Sequence, residues 1–173
     1  MSIRIVRIRL RGLCAKHCTK TEPELARLER QNERIAWTVS RGVCRLLHNM
    51  GYGAITEFAL NNKGNVAIVE TKLSVADFPG DEKWPEYLQH CDRFYFAVAE
   101  TFPHGLIPQT TGLIVADWFG GVVVREARQQ SMATKLRNKA IRRFGLYAAN
   151  RLRRSQDSGV GRNPAASISS WWA

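Results

Sequence analysis

The chain has 173 residues, 45% of them apolar, which suits one domain with a core of its own plus tails. Its net charge of +11 is uneven: residues 1–21 hold six Arg or Lys and no acid, residues 125–154 hold ten against Glu126 alone, and residues 55–117 hold nine acids against four bases. No run approaches the length of a membrane span, Arg4, Arg7, Arg9 and Arg11 interrupt any secretory apolar region, and the four cysteines are scattered, so we expect a cytoplasmic protein with free thiols and no membrane association. Basic arms around an acidic middle suit a polyanion held against a cation-binding site. A solvated basic helix or an anionic membrane surface would carry the same charge.

Residues 1–21 form a basic N-terminal extension, either an edge strand or a segment without fixed structure. Cys14-x-x-His17-Cys18 offers part of a zinc ligand set, but no second pair follows at finger spacing. Thr21 is the N-cap of a helix to about Arg34, with Glu22, Pro23 and Glu24 in its first turn. A second or continuing helix runs over 35–49, where Ile35, Val39, Val43, Leu46 and Leu47 recur at helical spacing. Asn49-Met50-Gly51-Tyr52-Gly53 stops it.

Residues 55–60 read as one strand, 61–64 as a turn, and 65–72 as a second strand. In the latter, Val66-Ala67-Ile68-Val69 is a buried run that ends in Glu70-Thr71-Lys72. Side chains two apart on a strand share a face, so Glu70 and Lys72 project together. An even-numbered loop pairs Leu60 with Asn65 and Glu57 with Ile68, which sets Glu57 diagonally beside Glu70; an odd one sends Glu57 to the other face.

A connection holding Asp77 and Pro79 leads to a helix from about Pro85 to Cys91. Strands are expected over 93–99, 112–117 and 121–126, the last two joined by Trp118-Phe119-Gly120. A long helix over 132–153 turns Leu136, Ala140, Phe144 and Tyr147 or Ala148 inward. Its basic residues Arg137, Lys139, Arg142 and Arg143 are the expected contacts to nucleic-acid backbone. Residues 154–173 read as a Ser-, Gly- and Asn-rich disordered tail behind a domain spanning 22–153. The order of elements predicts an α+β or mixed-sheet α/β sandwich.

Two carboxylates on neighbouring strands can hold Mg²⁺ or Mn²⁺, and a lysine beside them can position water or stabilise a phosphorane-like transition state. Glu57 and Glu70 are the candidate metal ligands, Glu70 and Lys72 the candidate catalytic pair. No Gly-rich phosphate loop of the Walker type occurs. His90 and Cys91 are neighbours that point apart on a helix, which argues against a Cys–His nucleophile.

Several ordered motifs carry a resemblance. They are Arg41-Gly42-Val43-Cys44-Arg45-Leu46-Leu47, Thr56-Glu57-Phe58, Ile68-Val69-Glu70-Thr71-Lys72, Ala76-Asp77-Phe78, Lys83-Trp84-Pro85-Glu86-Tyr87, Cys91-Asp92-Arg93-Phe94-Tyr95-Phe96-Ala97-Val98 and Thr111-Gly112-Leu113-Ile114-Val115-Ala116-Asp117. Over about residues 35–152 the chain resembles the MmcB-like family of bacterial DNA-repair endonucleases, which looks like a branch of the PD-(D/E)xK nuclease superfamily. The resemblance implies a restriction-endonuclease-like central mixed sheet with helices on both faces, divalent metal, DNA as partner, and Glu70 and Lys72 as the E and K of the motif. Asp77, Lys83 and Trp84 follow the motif and are candidates for the cleft. The departure is that no Asp lies between Glu57 and Glu70, so the strand that carries it is expected to be missing. Either Glu57 substitutes, or the chain binds DNA without cutting it.

Overall fold

Val66–Lys72 is the central strand β3 of a six-stranded sheet. A computed structural model describes residues 22–75 and 84–157. The elements in order are α1 (Glu22–Asn49), β1 (Tyr52–Ile55), β2 (Phe58–Asn61), β3, α2 (Trp84–Tyr87), β4 (Arg93–Val98), β5 (Gly112–Ala116), β6 (Gly121–Arg125) and α3 (Thr134–Gln156). Short 3-10 turns cover Leu88–His90 and His104–Leu106. The strands lie in chain order, β1 to β6. Pairing is antiparallel from β1 to β3, parallel through β3, β4 and β5, and antiparallel again at β6. The protein is therefore a mixed α/β fold, a mixed sheet flanked by helices.

Strand alternation divides the core in two. On one face Ala59, Ala67, Val69, Tyr95, Ala97, Ile114 and Ala116 meet Val39, Val43 and Leu47 of α1. The small alanines let the helix settle close to the sheet. On the other face Phe58, Val66, Ile68, Phe94, Phe96, Val98 and Leu113 are covered by the β3–β4 and β4–β5 connections and by α3, through Trp84, Leu88, Phe102, Ile107, Leu136, Ala140 and Phe144. β3 to β5 are covered on both sides, which explains their continuous apolar runs.

α1 is a single helix, the continuing alternative, since nothing at Arg34-Ile35 breaks it. The strand expected over 55–60 is two strands: Ile55 pairs with Phe58 across the turn Thr56-Glu57, where Thr56 takes a positive φ of 53°. β2 is the second half of that expected strand and carries no Asp, so it is not the Asp-bearing strand expected to be missing before β3. The register is that of the odd-numbered alternative. Leu60 pairs with Val66 and Phe58 with Ile68, one residue away from Leu60 with Asn65. The connection is odd-numbered because Asn61 closes it on itself, its Oδ1 accepting from the N–H groups of Lys63 (3.0 Å) and Asn65 (2.9 Å). The expected contributions of residues 1–21 and 158–173 lie outside the described residues.

Candidate functional site

Glu70 and Lys72 occupy the last turns of the pleat in β3, opposite Phe96 and Val98 of β4. They share the face of Ile68, as the alternation requires. Lys72 Nζ donates to Glu70 Oε1 at 3.4 Å, with Lys72 only 4% exposed and the Glu70 side chain 20% exposed. An ammonium so deep is tolerable when it is paired, and it also lies 5.8 Å from the Phe96 ring centroid. Trp84 packs on Phe94 and Phe96, each at 5.8 Å. Phe144 of α3 packs on Phe58, whose strand partner is Ile68. The pair is a carboxylate and an ammonium held at the edge of the core.

Glu57 takes the geometry of the odd-numbered loop. Its carbonyl accepts from the Val69 N–H at 2.8 Å, so it lies across from Val69 rather than Ile68, in the turn between β1 and β2. The even-numbered register, which would set it diagonally beside Glu70, is not the one adopted. Among the described residues no three His, Cys, Asp or Glu side chains converge as a metal site. Mg²⁺ requires about six oxygens at close to ideal geometry. The described donors at Glu70 do not by themselves fit such an ion. Asp77 and Lys83 lie outside the described residues.

The basic residues of α3 divide. Arg137 is committed to structure: its two Nη atoms grip both oxygens of Asp92 at 2.7 Å, and Nη1 also donates to the Gly64 carbonyl at 2.6 Å. Asp92 is 5% exposed and further accepts from the Val66 N–H at 2.7 Å. Burial opposes its charge, but the Arg137 guanidinium and the Val66 N–H outweigh that and hold its pKa below the usual carboxylate value. Arg137 is therefore no free phosphate contact, contrary to the expectation from charge. Arg142 is exposed, and Lys139 and Arg143 are half-buried. Cys91 is no nucleophile either: burial is the main cause that pushes its thiol up to about 12, despite a hydrogen bond from Gln130.

Sequence reasoning assigned no role to Asp92. The available signal was a carboxylate two residues before the apolar run Phe94-Tyr95-Phe96-Ala97-Val98, a position that demands a partner. It also overlooked a second cluster, where Trp37, Arg41 and Arg45 of α1 meet Trp118 and Phe119.

The sheet and its covering helices define a mixed α/β protein with a buried lysine paired to a half-buried glutamate at the end of its central strand. The chain belongs to the family described as DNA repair protein MmcB-like, whose model matches residues 22–159. It is similar to the SPO1766 protein of unknown function from Silicibacter pomeroyi, with a TM-score of 0.71 and 35% identity over 75% of this chain and 97% of that one. No curated protein matches the chain. No helix among the described residues is long and apolar enough to cross a membrane.

Proposed function

We propose that the protein acts on DNA in repair as a divalent-metal-dependent endonuclease that hydrolyses phosphodiester bonds at Glu70 and Lys72. The observation that carries this is the Glu70–Lys72 pair, side by side at the end of a buried strand in a chain of a DNA-repair family. Lys72 presents positive charge where a scissile phosphate gathers negative charge, and the low polarity around Phe96 strengthens that attraction. Glu70 holds the ammonium in place and directs it along the strand face. Were Mg²⁺ or Mn²⁺ bound, Glu70 would hold it, with Glu57 the candidate second carboxylate, and the ion would supply Lewis acidity to the phosphate. Arg142, Arg143 and Lys139 of α3 bind the DNA backbone, and Trp84 walls the cleft.

One observation favours a second reading, a DNA-binding module that no longer cuts. Among the described residues no three His, Cys, Asp or Glu side chains converge as a metal site, and Glu57 lies across from Val69 rather than Ile68. Cleavage of single- and double-stranded DNA with Mg²⁺ or Mn²⁺ separates the two. If the chain is a nuclease, Glu70→Gln and Lys72→Ala each abolish cutting, chelation does the same, and Glu57→Gln reports whether Glu57 is the second ligand. DNA binding without cutting in the wild type selects the second reading. Activity that survives Glu70→Gln overturns the assignment of the site.

A further inference from the structure

We propose that the turn between β5 and β6, with the adjoining face of α1, is a stacking platform for single-stranded nucleic acid. It lies apart from Glu70 and Lys72, on the opposite side of the sheet. The turn is firmly built. Asp117 Oδ1 accepts from the N–H groups of Phe119 (2.8 Å) and Gly120 (2.9 Å), and Arg45 Nη1 donates to the carbonyls of Trp118 (3.3 Å) and Phe119 (2.9 Å). Trp118 rests on Trp37, ring centroids 4.6 Å apart, and the Arg41 guanidinium sits 4.1 Å from the Trp118 centroid. Gly42 lets α1 approach so closely that a Cβ there would strike the backbone carbonyls of Asp117 and Gly120.

All of this order holds one ring in water. Phe119 is 79% exposed. An isolated exposed phenyl needs no explanation, but this one borders a groove of 430 Å³ whose lining is Phe119 with Arg41, Cys44, Arg45, His48 and Asn49. The lining holds two arginines and a histidine and no carboxylate; the Asp117 oxygen is turned onto its own loop. The charge of Arg151 reaches Cys44 from α3. A rigid π-face beside cations recognises a flat, unpaired base with its phosphates, because any base can stack and each phosphate finds a cation. The same charge disfavours a second copy of this basic chain as occupant. A paired duplex offers no exposed base face to Phe119.

The test uses the full chain and a fluorescein-labelled oligothymidylate of about 12 nucleotides, followed by anisotropy. Phe119→Ala should weaken its binding about tenfold, and Phe119→Trp should restore it. Thermal stability and duplex binding should be unchanged, because the turn is held through backbone groups. Glu70→Gln and Lys72→Ala should bind the oligonucleotide like wild type, so failure of the nuclease reading leaves this result intact. Equal oligonucleotide binding by wild type and Phe119→Ala overturns the platform. So does sedimentation with phosphatidylserine vesicles, lost in Phe119→Ala, in a protein that does not bind the oligonucleotide.

Discussion

Asp92 and Arg137 show how one carboxylate can decide the role of a basic residue. The guanidinium meets it with two parallel bonds, the geometry in which arginine binds carboxylates most firmly. Arg137→Ala would leave Asp92 buried with its charge uncompensated, which costs about 3 kcal/mol for pairs of this kind. We expect a lowered urea midpoint in Arg137→Ala, with the salt dependence of DNA binding unchanged. The pH dependence follows from the direction of the shift. Asp92 is depressed in the folded state, so its contribution is complete above the unfolded value of about 3.9 and is lost as pH falls through the folded one. An acid titration followed by circular dichroism should show that loss in wild type, and a flatter acid limb in Asp92→Asn.

The packing of α1 on the β5–β6 turn makes its own prediction. A methyl group at position 42 meets carbonyl oxygens of the backbone, which cannot swing aside as a side chain would. Gly42→Ala should destabilise by about 2 kcal/mol despite its better helix propensity, measurable as a lowered thermal midpoint. Most elements were legible because burial writes a clear pattern: the apolar runs of β3, β4 and β5 and the spacing of Val39, Val43 and Leu47 leave little choice. The turn at Thr56-Glu57 was not legible, since it carries neither Gly nor Asn and a β-branched residue rarely takes positive φ. Glu70 and Lys72 share a face by alternation alone, so the pair could be read directly. The position of Glu57 could not, because the parity of the loop rests on a side chain of Asn61 folding back on its own turn. Likewise, nothing local to α3 says that Arg137 faces a carboxylate 45 residues earlier.

Over the whole molecule, +11 charges favour a polyanion, and α3 carries much of that charge. If about six phosphates are neutralised on duplex DNA, log K should fall with log salt at a slope near about −5. Arg142→Ala with Arg143→Ala should lower that slope by up to about two units, and binding that is flat in salt would remove α3 from the interface. The Asp92 latch has a further consequence, for the order in which the molecule is made. Every strand of the sheet precedes α3 in the chain, so during synthesis the sheet leaves the ribosome with Asp92 still lacking its guanidinium. Until α3 follows, Phe58 and its neighbours on that face lack part of their cover. Closing the core is therefore a late event that links residues far apart in sequence, and a nascent chain halted before α3 would present an apolar, incompletely compensated face to chaperones and proteases.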